Sequence, residues 1–442
     1  DPQRDRHQYA DDGQGRQPLD DPAGTLQQLM PGMPLFSAAK ISLPLRLIAA
    51  VALTACASHV AAMGRQPVQK PRTGQSQVEP EAMLIKTLIE IRNNRLDLAL
   101  AEVEKVIQGY PNFRLAQLIK GDLLLARGRP LRGLGEAPNA PRDRIDELRD
   151  EARVRLARYQ FERPTGRIPR YLLQLNPEQK HALVVDTRQS TLYVFANHNG
   201  VLRYVADYYI ASGKNGTDKT RNGDRKTPLG VYHVTDNLPR KKLGALYGSG
   251  AFPINYPNEL DRREGREGNG IWLHGTPFDT YSRPPLSSDG CVALTNEDLD
   301  AISKNLRVGI TPVIITSGID WVTPEALESS RRDLLKSVED WRRDWESLNT
   351  EAYLRHYSPR FSSGSQDLAA WSQQKRQVNS AKTWIRLKVD RISAFLYPGR
   401  DDLAVVTFEQ NYASSNLTNQ MAKRQYWINE KGAWRILYEG GA

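Results

Sequence analysis

The sequence predicts a multidomain α+β protein in three folded parts: a helical segment, an all-β unit and a closing α+β unit. Three observations predict it. Apolar residues recur at helical spacing from Glu81 to Tyr159, the period changes to two from His181, and after Lys336 helical patterns give way to strands rich in Val, Phe, Tyr and Trp. A chain of 442 residues supports two or three domains. Lys plus Arg exceed Asp plus Glu by 61 to 51, a surplus that suits an acidic polymer as partner.

Residues 1–32 lack an initiator Met and are polar and rich in Asp, Arg, Gln and Pro. They are expected not to fold, as a disordered extension or a gene start placed too far upstream. Residues 33–63 read as a signal peptide: Lys40 precedes an apolar stretch from Leu43 to Ala62 whose only charge is Arg46, too short and interrupted to span a bilayer comfortably. Val60-Ala61-Ala62 offers small residues for cleavage. Leu53-Thr54-Ala55-Cys56 also resembles a lipoprotein box in which Cys56 becomes the lipidated first residue; the plain signal peptide is preferred, because four small residues arise easily by chance. Either reading places the protein in the periplasm.

A linker, 64–80, leads to a helical domain, 81–162. Leu84, Leu88, Ile91 and Leu96, then Ala99, Val103 and Val106, keep helical spacing; Tyr110-Pro111 breaks it and Ala116 to Leu125 resumes it. This resembles a tetratricopeptide-like helix pair plus one further helix. A single repeat cannot bury its own apolar face, so these helices are expected to pack on another domain or on a second copy, as a homodimer. After the Gly/Pro-rich loop Gly128 to Pro141 comes a charged helix, Arg142 to Phe161. A helical spacer without ligand is the default reading.

Beyond a linker, 163–178, the central unit spans 179–318. His181 to Thr187, Thr191 to Ala196, Val201 to Ala211, Gly230 to Val234, Gly270 to His274 and Thr311 to Thr316 read as strands of a β-sandwich or small barrel. The long polar loops Gly213 to Thr227 and Asn255 to Gly268 separate them, and loops of that length are usually functional or disordered. Thr295-Asn296-Glu297-Asp298 opens a helix that ends near Gly309 and is read as scaffold. A linker, 319–334, precedes the last unit, 335–442. There a helix from Lys336 to Phe361 carries Val338, Trp341, Trp345 and Leu348, a second runs near Leu368 to Ser380, and strands follow at Trp384 to Ile392, Leu403 to Ser414, Arg424 to Asn429 and Trp434 to Tyr438. Helices followed by a curved antiparallel sheet resemble the nuclear-transport-factor-like cone, whose aromatics either fill a core or line a pocket for a peptide or glycan end.

The chain has two cysteines. With Cys56 in the export segment, Cys291 would be the one thiol of the mature protein, and an unpaired thiol in an oxidising compartment is either buried and inert or kept for chemistry. His274 upstream makes it a candidate nucleophile. Basic residues spread along the whole chain argue against a nucleic-acid stripe and fit a carboxylated cell-wall glycan or an anionic membrane surface. No phosphate loop and no metal-ligand cluster is present in the sequence, so no cofactor and no metal are expected.

Gly213-Lys214-Asn215-Gly216, then Gly223 to Tyr232, then His274-Gly275-Thr276-Pro277, then Ser288-Asp289-Gly290-Cys291-Val292-Ala293-Leu294 together resemble the L,D-transpeptidase (YkuD-type) catalytic domain of peptidoglycan enzymes, over His181 to about Ser317. The resemblance implies acyl transfer through a thioester. Cys291 attacks the meso-diaminopimelate carbonyl of a tetrapeptide stem and expels D-alanine, and His274 is general base and then acid. Backbone N–H groups around Gly290 and Cys291 serve the oxyanion, and Gly275 or Ser288 orients the imidazole. A free thiol has a pKa of about 8.5, and a nearby imidazolium is expected to lower it.

Two departures from the family pattern stand out. Asp289 occupies the place of a second His, and it could steer an amine, orient His274 or cap a turn. Ala293 replaces a substrate-binding Arg or Asn, a role that Arg283 could take over. Lys226, Tyr256 and Gly275 complete the expected substrate-binding set. The Ser-Asp-Gly-Cys variant with its C-terminal cone resembles a proteobacterial subgroup related to cell-shape L,D-carboxypeptidases. Transfer to an amine is the family default. Hydrolysis of tetrapeptides to tripeptides, action on wall-attached lipoprotein, and a non-catalytic wall-binding scaffold are the alternatives.

Overall fold

The computed structural model describes residues 80–130, 133–136, 141–163 and 165–442. The expected extension, signal peptide, Cys56 and residues 64–79 of the first linker lie outside the described residues.

Helices α1 (Pro80–Arg92), α2 (Leu96–Gly109), α3 (Arg114–Leu125) and α4 (Arg142–Gln160) form the helical part. Leu84, Ala99, Val103, Val106, Leu115 and Ile119 are buried in their shared core. Tyr281 of the β-rich unit belongs to the same core. The apolar face that one repeat cannot cover is thus covered within the chain.

The central unit is built on two larger sheets, beside a two-stranded pairing of Ser212–Gly213 with Leu286–Ser288. Strands β2 (His181–Asp186), β3 (Thr191–His198), β4 (Val201–Tyr209), β5 (Gly230–His233) and β10 (Pro312–Thr316) form a five-stranded sheet in the order β4-β3-β2-β10-β5. Strands β6 (Leu238–Pro239), β7 (Gly250–Pro253), β8 (Trp272–His274) and β9 (Val292–Ala293) form a four-stranded one, ordered β9-β8-β7-β6. Leu183, Val185, Val194 and Ile315 face Phe252, Leu273 and Val292 of the second sheet, as in a sandwich. The opposite face, with Ala182, Val184, Tyr193, Phe195 and Ile314, packs into the core of the C-terminal unit. Both faces being covered, β2 and β3 are apolar almost throughout rather than alternating.

The C-terminal unit opens on α7 (Pro324–Glu346), then α8 (Thr350–Leu354) and α9 (Leu368–Ser380). Its seven-stranded sheet runs β12-β11-β16-β15-β14-β13-β1, from β11 (Tyr357–Ser363), β12 (Gln366–Asp367), β13 (Ile385–Tyr397), β14 (Arg400–Ser414), β15 (Leu417–Glu430), β16 (Ala433–Gly441) and β1 (Leu172–Gln174). Two expected linkers are therefore corrected in part. Residues 324–334 are helical because Thr323 caps α7, its hydroxyl accepting from the Ala326 amide, with Pro324 at the first turn. Residues 172–174 pair with Ala394 and Phe395 of β13, so the second linker stitches the two units together. The expected Lys336–Phe361 helix breaks at Leu348, where φ is +60°, and Tyr357 onward is strand. Within the cone, Trp341, Trp345, Tyr353, Tyr357, Phe361 and Trp371 pack ring against ring. Lys423 and Gln425 satisfy the buried Glu439 carboxylate at 2.6 and 2.8 Å.

Candidate active site

The four-stranded sheet of the central unit brings His274 of β8 beside Cys291, the residue that precedes β9. β8 and β9 pair in parallel with His274 opposite Ala293, and Cys291 lies at the mouth of β9, where the register places it beside Trp272. Gly290 has φ +123°, a left-handed conformation that glycine adopts without strain, and a Cβ there would stand 2.7 Å from the Lys226 carbonyl oxygen. Glycine therefore lets the Lys226 backbone close against the nucleophile turn.

Hydrogen bonds join the motif blocks. The Gly213 amide donates to Thr227 Oγ1 at 2.9 Å, and that hydroxyl donates to the Gly290 carbonyl at 3.0 Å. Ser288 Oγ accepts from the Gly290 amide (3.1 Å) and donates to the Cys291 carbonyl (2.6 Å). Of the two candidates for orienting the imidazole, the structure brings Gly275 to it: His274 Nδ1 lies 2.6 Å from the Gly275 carbonyl oxygen, whereas Ser288 ties the nucleophile turn together. With Nδ1–H donating to a carbonyl, Nε2 carries a lone pair that can take a proton. Gly275 has no room for a side chain, since a Cβ would meet Asn296 Oδ1 at 2.2 Å.

Burial sets the charge states. His274 is 2% exposed, and desolvation lowers its pKa to about 4 despite the Gly275 bond that favours the cation; the Arg283 charge lowers it further. Burial likewise pushes the Cys291 thiol up, while the Trp272 amide and the Arg283 charge pull the other way and Asp289 adds to the rise. The resting pair is therefore thiol and neutral imidazole. This corrects the expectation of an imidazolium that lowers the thiol pKa: too little water reaches His274 to support its charge. The thiol donates to the Gly270 carbonyl at 3.3 Å.

The remaining expected residues sit as follows. Arg283 is half-buried, and its guanidinium donates to the Ser287 carbonyl. Asp289 is exposed and faces Lys214 at 3.3 Å and Arg225 at 3.8 Å, so it pairs with the loop cations and not with His274. Lys226 is half-buried, its amide held by Asp224 Oδ1 at 3.1 Å. Tyr256 does not fit its expected substrate role: it is 5% exposed, and its hydroxyl donates to the carbonyls of Lys219 (3.3 Å) and Glu267 (3.0 Å), bracing the two long loops, the second of which carries the short helix α5 (Glu259–Arg263). Sequence reading missed Tyr247, whose ring packs 5.2 Å from His274 and 4.8 Å from Trp272. It also missed Asn296, which accepts from the Ser249 amide at 2.8 Å and donates to the Thr276 carbonyl at 2.9 Å. The helix after Thr295 is α6 (Asn296–Ser303), shorter than expected, with Asn296 at its first turn. Among the described residues, no group of His, Cys, Asp and Glu could hold a metal, and no helix is long and apolar enough to cross a membrane.

Comparison with known proteins places this geometry. Residues 180–315 match the family model of the L,D-transpeptidase (YkuD) catalytic domain, and residues 333–440 that of the Cds6 C-terminal NTF2-like domain. The candidate L,D-transpeptidase YafK of Escherichia coli K12 is 31% identical over 115 residues, 26% of this chain, and the match spans 42% of the length of YafK. The structure of Bd1075 from Bdellovibrio bacteriovorus is similar at 29% identity and a TM-score of 0.56, covering 62% of this chain and 98% of that one. Pgp2 of Campylobacter jejuni, described as a helical cell shape determining protein, shares the fold at 24% identity and a TM-score of 0.53, over 62% of this chain and 95% of Pgp2.

Proposed function

From a chain that carries a YkuD L,D-transpeptidase catalytic domain followed by a Cds6-type NTF2-like domain, we propose a periplasmic cysteine enzyme that cleaves the diaminopimelate–D-alanine bond of peptidoglycan tetrapeptide stems. One observation carries the reading: His274, its Nδ1 committed to the Gly275 carbonyl, presents Nε2 one strand away from the only free thiol among the described residues.

The first step begins when Cys291 turns from the Gly270 carbonyl and gives its proton to His274 Nε2. Sγ then bonds the stem carbonyl carbon, and the Cys291 amide is the proposed donor to the oxyanion. Because Ser288 Oγ already engages the Gly290 amide, the expected pair of donors reduces to Cys291 and a neighbour. The C–N bond breaks as imidazolium protonates the departing D-alanine nitrogen. An acceptor then gives its proton to His274 and displaces the thiolate, which is reprotonated.

The rim favours water as that acceptor. Lys214, Arg225 and Arg283 lie about the nucleophile turn with Asp289 as the acidic member, a net positive field that attracts stem carboxylates and repels an incoming ammonium. Tripeptide formation, an L,D-carboxypeptidase activity in cell-shape control, is thus the preferred outcome. Transfer to an amine is the second reading, supported by the catalytic-domain match. Mass spectrometry of a disaccharide-tetrapeptide after incubation separates them: tripeptide plus free D-alanine is expected, and cross-linked dimers would establish transfer. Cys291→Ala is expected to abolish both while retaining the circular dichroism of the parent; turnover by that variant would sink the mechanism.

A further inference from the structure

The segment between His274 and Cys291 is held from outside its own domain. Pro277 to Pro285 contains no helix or strand, so the backbone there has to be ordered by contacts that offset its conformational entropy. The N-terminal helices supply them residue by residue. Asn112 Nδ2 donates to the Phe278 carbonyl at 2.9 Å, and Arg114 donates to Thr280 Oγ1 at 3.3 Å. The Tyr281 amide donates to the Asn112 carbonyl at 3.2 Å, and its ring packs 4.7 Å from Tyr110 and 4.5 Å from Phe113. Ser282 Oγ donates to Glu151 Oε1 at 2.6 Å. Glu151 is in turn paired with Arg155 at 2.9 Å, both side chains 1% exposed. Arg155 lies over the Tyr209 ring at 3.9 Å, and the Tyr209 hydroxyl donates to the Arg283 carbonyl at 2.9 Å.

We propose that Glu151 and Arg155 are positioning residues of the active site, which through Ser282 and Tyr209 hold the backbone of Arg283, whose guanidinium donates to the Ser287 carbonyl at the entry to the nucleophile turn. A buried ion pair is weak evidence for stability, because an apolar pair of similar volume serves the core as well. What an apolar pair cannot do is accept the Ser282 proton and press Tyr209 toward the Arg283 carbonyl. Arg283 is the next residue along; its guanidinium is anchored at the Ser287 carbonyl, four residues before Cys291, and its charge opposes the rise that burial causes in the thiol pKa. The proposal rests on the catalytic reading of Cys291, in which Arg283 receives a carboxylate of the stem. It replaces the spacer role expected of these helices with a clamp on one wall of the cleft.

The primary readout needs no substrate, and D-alanine release from a disaccharide-tetrapeptide is measured beside it. In the full chain, Cys291 is alkylated with anionic iodoacetate and with neutral iodoacetamide, and the ratio of the two rates reads the positive charge beside the thiol. Arg283→Gln is expected to lower that ratio about fivefold, the effect of one unit charge at short range in a wet cleft. Glu151→Gln and Ser282→Ala are each expected to lower it in the same direction, and to add nothing further in the Arg283→Gln background. Ser282→Ala removes one hydrogen bond and keeps the test available if Glu151→Gln does not fold. A ratio unchanged in both positioning variants, or unchanged in Arg283→Gln itself, overturns the proposal. Loss of the ratio effect with normal D-alanine release overturns the clamp alone. An intact ratio effect without D-alanine release overturns the function and keeps the clamp.

Discussion

His274 is buried beside a carbonyl that fixes its tautomer, and the consequence is a base that stays neutral well below the usual histidine range. The sign follows from burial: water is withdrawn from the cation, so the neutral form persists down to a pKa of about 4 instead of 6.5. The rate of D-alanine release, as kcat/KM, is accordingly expected to hold constant on acidification through pH 6.5 and to fall only as pH approaches about 4. A half-maximal point near 6.5 would show that His274 is solvated in the working enzyme. A neutral imidazole adds no charge beside the thiol, so His274→Ala is expected to leave the alkylation profile of Cys291 in place while abolishing turnover; a shift of that profile to higher pH would reveal an ion pair. Gly290→Ala places a side chain at φ +123° and 2.7 Å from the Lys226 carbonyl, at a cost of about 1–3 kcal/mol, measurable by urea unfolding, together with loss of D-alanine release. Cys291, His274 and Gly290 were legible as residues because chemistry and φ leave a mark on residue type. The neutral charge state was not legible, because it depends on burial by Tyr247 and other residues distant in sequence.

At the scale of elements, β2, β3, β4 and β5 begin where the β-branched runs and the Gly/Asn turns put them, and α9 runs from Leu368 to Ser380 as expected, whereas β15 begins at Leu417, well before the expected Arg424, and β6 and β7 were not expected. The exceptions have physical causes. β1 is three residues long and gains its stability only from pairing with β13, so no local pattern announces it. α7 begins at Pro324, ahead of the expected Lys336, because its first turns are mostly polar and show little apolar period, although Thr323-Pro324 is a readable start. Thr227 shows how a loop is made into a site: one hydroxyl accepts from Gly213 and donates to Gly290. Thr227→Val keeps the shape and removes both bonds, leaving buried backbone groups unpaired; a loss of about 1–3 kcal/mol in urea unfolding and a fall in kcat larger than any rise in KM are expected. Unchanged kcat would mean that the turn is held by backbone packing alone.

At the scale of the whole molecule, both flanking units grip loops of the catalytic domain. The C-terminal unit holds the second long loop: Arg424 donates to Glu259 at 2.8 and 3.0 Å, and Asn258 Nδ2 donates to the Tyr397 hydroxyl at 3.2 Å. One apolar core also runs from Val184 and Phe195 of the catalytic sheet to Trp341 and Trp427 of the cone. The two units are therefore expected to unfold in one calorimetric transition, and Trp341→Ala, which empties a fully buried site, is expected to lower the stability of both together by about 3–5 kcal/mol. A separate, unshifted transition for the catalytic domain would refute that coupling. The sequence by itself determined the order of the three units, the catalytic-domain and NTF2-like resemblances, and the strand and loop positions of His274 and Cys291, since periodicity, turn residues and motif spacing are local properties. Tertiary structure decided which loop each unit holds. The contacts from Asn112 to Phe278 and from Glu151 to Ser282 join residues 166 and 131 positions apart, and a hydrogen bond across that separation leaves no period for a sequence to display.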